Sequence, residues 1–252
     1  MDENRQSPDL SLVHDLPVHG LPVHDNGSAM RIEAGEAAPD MVFLPRPTTL
    51  VELFAGARDM SAIGFALAQV PRHGSVLWVQ DRMSSLEAGY PHGRAITRFG
   101  GNPAQLIHVG ARNCADALWT MEEGLRCRSL SCVIGEIWGD PRALDFTATK
   151  RLAMRAEQQG TPAFLIRFGA AANLSAARQR WRIASLPSVP HPYDDRAPGP
   201  PCWQAELFRA RGLKPGTWMV HYDRTAHRLD FSAAIPDPAV VEAQRHRSSS
   251  GG

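Results

Sequence analysis

Apolar positions along this chain follow two rules, and the change comes near residue 175. Between residues 49 and 168, short and almost unbroken apolar runs alternate with stretches whose apolar residues recur every three or four positions. The runs are TLVELFA (49–55), SVLWV (75–79), QLIHVGA (105–111), LSCVIGEI (130–137) and TPAFLIRF (161–168). A strand covered on both faces has no water-facing side, so it reads as continuous rather than alternating; TLVELFA has that form, and the runs together predict strands of a parallel sheet. Between them lie helical patterns. One starts at Asp59 as N-cap and carries Met60, Ile63, Phe65, Leu67 and Val70 to about Gln69, weakened a little by Gly64. A second spans 114–125, with Leu118, Met121 and Leu125 at helical spacing. A third spans 144–160, has a basic face of Lys150, Arg151 and Arg155, and stops at Gly160. Strands alternating with helices predict an α/β fold with a mostly parallel sheet flanked by helices.

Past residue 175 the period becomes two. RQRWRIASLPS (178–188), WQAELFRARG (203–212), TWMVHYD (217–223) and HRLDFS (227–232) alternate apolar with polar residues and are separated by turn formers. They predict antiparallel strands and hairpins that extend the sheet. Residues 187–201 hold six prolines and are expected to form an exposed loop. The two ends lack either period. Residues 1–46 are expected to be a disordered tail, 47–235 one domain and 236–252 a polar tail. The first tail contains the repeat LPVHG–LPVHD, which spaces His14, His19 and His24 five apart. Pro17 and Pro22 prevent a helix that could gather these histidines, and no further ligands accompany them, so no metal site is expected there.

Composition narrows the class of protein without naming it. At 252 residues, 43% hydrophobic and 21% charged, the chain has the balance of an ordinary globular protein. No apolar run approaches the roughly 18 residues of a membrane span. The acidic, polar start MDENRQSPDL lacks the basic and apolar regions of a secretory signal. Cys114, Cys127, Cys132 and Cys202 match neither a zinc site nor a disulfide framework, and Cys132 sits inside a strand-like run as a small buried hydrophobe. A cytoplasmic location is expected. The net charge of +1 conceals asymmetry: residues 1–50 carry eight acidic against three basic side chains, whereas 167–230 carry ten basic against five acidic. The C-terminal half could therefore meet an anionic partner. Trp181, Trp203 and Trp218 stand there among Arg178, Arg180, Arg182, Arg209 and Arg211. The tryptophans are expected in the core, with Arg178, Arg180 and Arg182 as candidates for a weak DNA contact.

The order of these elements resembles the RecA core, from its nucleotide-loop strand to its C-terminal hairpins. More closely it resembles the ImuA family, the RecA-related accessory proteins of bacterial mutagenesis. The segments that carry the likeness are VELFAGARDMSAIGFALA, VLWVQDR, WQAELFRARGLKPGTWMVHYD and HRLDF, within residues 47–232. The resemblance implies a RecA-like fold and a role in damage-induced (SOS) mutagenesis and translesion synthesis. Its implied partners are an ImuB-type protein, an error-prone polymerase III alpha-type subunit reached through it, and RecA.

The same alignment implies where a nucleotide would sit, and there the required residues are missing. A P-loop, G-x-x-x-x-G-K-[ST], cradles phosphates with its amides, its lysine and its magnesium-binding hydroxyl. The matching span here runs from Ala55 to Ala62 and contains Gly56, Arg58, Asp59 and Ser61. Met60 replaces the second glycine, Ser61 the lysine and Ala62 the hydroxyl; no lysine precedes Lys150. Asp59 puts a negative charge where a phosphate belongs. Two acidic positions remain, Asp81 after the second strand and Glu136 in the fourth; an isolated acid at a strand end is ordinarily solvated. A non-catalytic protein without cofactor is the expectation. Two alternatives are an ATPase rebuilt around Arg58 and Glu136, and a division inhibitor similar to SulA.

Overall fold

The computed structural model describes residues 48–234 except 190, 192 and 195, with backbone alone at 233 and 234. The two expected tails and the three spaced histidines lie outside these residues. Among the described residues, nine strands and five α-helices follow in the order β1 (Leu50–Ala55), α1 (Ser61–Leu67), β2 (Ser75–Gln80), α2 (Arg82–Ala88), α3 (Gly93–Arg98), β3 (Leu106–Gly110), α4 (Cys114–Gly124), β4 (Leu130–Trp138), α5 (Phe146–Gln159), β5 (Ala163–Phe168), β6 (Gln179–Leu186), β7 (Cys202–Ala210), β8 (Gly216–Asp223) and β9 (Arg228–Ala234). All nine strands form one sheet in the order β3-β2-β4-β5-β1-β6-β7-β8-β9. The fold is the expected α/β class: a mostly parallel sheet flanked by helices and extended by C-terminal antiparallel strands.

Each face of the sheet carries its own core. On one face Leu53, Trp181, Ile183, Trp203, Ala205 and Trp218 pack with Phe65 of α1. On the other, Leu77, Val79, Val133 and Leu165 pack with Leu118 and Met121 of α4 and Leu152 of α5. Burial of each large side chain is worth roughly 1.5–3 kcal/mol, so the strands covered on both faces anchor the fold. The three tryptophans are core, with exposures of 1% (Trp181), 4% (Trp203) and 5% (Trp218). Gly135, on β4, packs against α4: a Cβ there would overlap the Met121 thioether.

The structure departs from the apolar pattern in three places. First, β6 is not purely antiparallel: it runs parallel to β1, with Glu52 opposite Arg180 and Leu53 opposite Trp181, and antiparallel only to β7. It alternates in polarity because helices cover only one of its faces, which gives a strand of either direction the same period. The connection from β5 is an extended segment rather than a helix, fastened to α5 by the Ala176 amide donating to Thr149 Oγ1 (3.1 Å). Second, α1 begins at Ser61 and ends at Leu67, short of Gln69, and Asp59 is not its N-cap. Third, α2 and α3 occupy a stretch between β2 and β3 in which the apolar pattern marks no element. Asp81 caps α2, accepting from the Ser84 amide at 2.7 Å. Among the described residues no helix is long and apolar enough to cross a membrane.

Candidate functional site

In the structure, β1 opens into the loop 56–60 before α1, the position in which the sequence places a nucleotide loop. The loop turns tightly, its Asp59 amide donating to the Gly56 carbonyl at 3.0 Å. The Asp59 carboxylate accepts three hydrogen bonds. Its Oδ1 accepts from the Ser61 amide (2.9 Å) and the Ser185 hydroxyl (2.7 Å), and its Oδ2 accepts from the Ser185 amide (2.9 Å). Partial burial pushes this carboxyl's pKa up, but the bonds from Ser185 and Ser61 outweigh it and hold the group below the usual carboxylate range. Ser61, at the lysine position, points its hydroxyl to the Ile183 carbonyl of β6 (3.1 Å). The Ser61 amide is thus taken by the aspartate beside it, and Ser185 fastens the loop to β6. Arg58 is exposed and makes no hydrogen bond or ion pair among the described residues.

Beside this loop a crevice of about 470 Å³ opens between the ends of β1, β5 and β6, with Gly56, Gly169, Arg182, Gln204 and Glu206 among its walls. It lies outside the carboxyl ends of β1 and β5, whose following connections go to opposite faces of the sheet, a common place for ligands in α/β folds. Its one cation, Arg182, is engaged: it pairs with Glu206 (3.0 Å) and lies over the Phe208 ring at 4.2 Å.

The two acids do not join the loop. Asp81 is 5% exposed and serves as the cap of α2, and its second oxygen lies 3.4 Å from the Trp138 amide. Glu136 is not solvated, contrary to the ordinary behaviour of a strand-end acid; it is 0% exposed. The Trp78 indole donates to one of its oxygens (2.5 Å) and the Gln80 amide to the other (3.0 Å), while Gln80 also bonds the Gly89 carbonyl and His108. Burial, first, and the Asp81 charge push the Glu136 pKa up to about 7, against the pull of the two hydrogen bonds. Among the described residues no three His, Cys, Asp or Glu side chains gather as a metal site.

Of the three arginines proposed for DNA, Arg180 is not at the surface. It is 3% exposed and donates to Glu52 Oε2 at 2.7 Å and to the Asn173 carbonyl at 2.8 Å. Arg178 is half-buried and held by Glu157 (2.5 and 3.0 Å), and Arg182 is half-exposed. The burial of Arg180 exposes a network that the pattern of residues did not reveal. Glu52, 1% exposed in the middle of β1, also accepts from Arg167 of β5 (3.1 Å), and Arg167 reaches the Gly139 carbonyl and Asp140 (2.8 and 2.9 Å). Asp140 in turn accepts from the Ala171 amide and the Asn173 side chain, fixing the start of the segment that leads to β6. One signal was available: a lone glutamate within an apolar run has to find a partner when the strand is buried.

Comparison with known proteins now bears on this geometry. No family model matches the chain. Proteins named ImuA from two strains of Caulobacter vibrioides are each 34% identical over 187 residues, covering 68% of this chain and 72% of theirs. The chain belongs to the ImuA family. Membership bears out the likeness to that family read from the sequence.

Proposed function

We propose that this protein is a non-catalytic accessory factor of damage-induced mutagenesis and translesion synthesis, with a RecA-like core that works by contact with other proteins. Family membership supports the process. The absence of catalysis is carried by one observation: the Asp59 carboxylate accepts the Ser61 amide and both donors of Ser185, so the loop is closed on an anion of its own. A bound phosphate would have to displace a carboxylate held by three hydrogen bonds, without a lysine to compensate. Asp81 and Glu136, the two acids that the resemblance offers, are engaged elsewhere.

The partners that fit are an ImuB-type protein and, through it, an error-prone polymerase III alpha-type subunit, with RecA as a further candidate. The site of action is the cytoplasm. Arg178 and Arg182 remain candidates for weak DNA contact; Arg180 does not. The test is recovery of partners on the tagged protein from DNA-damaged cells, washed with or without ATP. Recovery of the ImuB-type protein and the polymerase, unchanged by ATP, is expected. Recovery that depends on ATP would overturn the non-catalytic reading, and failure to recover either protein would overturn the accessory role.

A further inference from the structure

A groove of about 350 Å³ lies away from the loop, where the end of β7 meets the segment entering β6. Phe146, at the start of α5, and Arg178, Arg209 and Arg211 line it, with Ser175 and Ala177 between them. Strand pairing fixes the spacing of the cations: Arg209 lies opposite Arg180 and Ala210 opposite Gln179, and the Arg211 amide donates to the Arg178 carbonyl at 2.9 Å. Arg178 shares its charge with Glu157. Arg209 and Arg211 are exposed and have no ion pair among the described residues. Three guanidinium groups line the groove, and Arg178 is paired with Glu157, whose pKa is lowered first by the Arg178 hydrogen bond and last by the Arg211 charge. Three like charges held together by backbone pairing repel one another, and an anion in the groove would relieve that repulsion. Phe146 adds a ring that is 43% exposed beside these arginines.

We propose that this groove binds the phosphodiester backbone of single-stranded nucleic acid, with a base stacked on Phe146. Guanidinium forks match phosphate oxygens in shape as well as charge, and an exposed aromatic ring accepts any base face. The ring is what favours nucleic acid over an acidic protein segment, which would use the arginines alone. The choice also rests on the mutagenesis role proposed above, whereas the groove itself does not.

The test is fluorescence anisotropy of a labelled oligothymidine single strand against the full chain over a range of salt, with a polyglutamate peptide of equal length in parallel. Three phosphate contacts predict a slope of about −2 in log affinity against log salt; Arg209→Ala with Arg211→Ala should reduce it to about −0.7. Phe146→Ala should weaken binding about fivefold or more with the slope unchanged. Arg112→Ala, an exposed arginine outside the groove, should change neither. Absence of strand binding by the unaltered chain, a double variant that binds with the same slope, or equal binding of polyglutamate each overturns the proposal. Partner recovery by the unaltered chain is read separately: its failure would overturn the accessory role whatever the strand does, whereas loss of partners by the double variant alone would make the groove a protein-contact surface and count against the nucleic-acid proposal.

Discussion

Replacing Glu52 with glutamine should be among the most damaging single substitutions in this fold. The carboxylate is 1% exposed and lies between Arg167 and Arg180, each 4% exposed at the side chain. Glutamine keeps the volume and one acceptor but removes the charge that two buried guanidiniums share. Breaking one partner out of a buried ion pair costs about 3–5 kcal/mol, because the remaining charges are left uncompensated away from water. At about 2–4 °C of melting temperature per kcal/mol for a domain of this size, the expected loss is about 6–20 °C by thermal melting. The partner substitution gives the sharper test. Arg180→Met alone should also be severe, but Arg180→Met added to Glu52→Gln should cost less than it does alone, with a coupling of about 1–3 kcal/mol in a double-mutant cycle. A melting temperature within about 2 °C of the unaltered protein for Glu52→Gln, or penalties that simply add, would refute the network.

Three further outcomes follow from the same geometry. Asp59→Ala removes the acceptor of three hydrogen bonds at a half-buried site and should cost about 1–3 kcal/mol in urea unfolding; if Ser185→Ala costs nothing in that variant but about 1 kcal/mol in the unaltered chain, the bond between them is established. For Glu136 the folded pKa of about 7 lies above the ordinary 4.5, so its contribution to stability is fully present below pH 4.5 and is lost as pH rises through 7. Stability of the unaltered chain relative to Glu136→Gln should therefore fall between pH 5 and 8, and a flat difference across that range would show that the carboxyl is not raised. Gly135→Ala, whose Cβ would overlap the Met121 thioether, should lower stability by about 1–3 kcal/mol in urea unfolding, whereas Gly56→Ala, with open space around it, should do so by less.

The parallel strands were readable because burial on both faces erases polarity, and TLVELFA, LSCVIGEI and TPAFLIRF each landed on a strand within two residues. The end of helix α5 was readable for a different reason: Gly160 takes the left-handed conformation at the C-cap, whereas its N-cap, Asp145, was not singled out in the sequence. What the sequence hid was set by contacts remote along the chain. Asp59 looks like a helix cap until Ser185, 126 residues away, is seen to claim it. Arg180 and Arg182 are two residues apart on the same strand and identical in type, yet one is buried against Glu52 and the other half-exposed over Phe208. The direction of β6 was hidden too, because an alternating strand has the same pattern whether its neighbour runs with it or against it. The departure from a P-loop motif was legible in Met60, Ser61 and Ala62, and so was the negative charge of Asp59; its tie to Ser185 of β6 was not.

The most direct test of the closed loop is isothermal titration of the purified full chain with ATP and magnesium, repeated with Asp59→Gly. No saturable heat up to millimolar nucleotide is expected from the unaltered chain, and none from the variant, since the loop still lacks its lysine. Saturable, magnesium-dependent binding by the unaltered chain would contradict the claim that Asp59 holds the place of the phosphate.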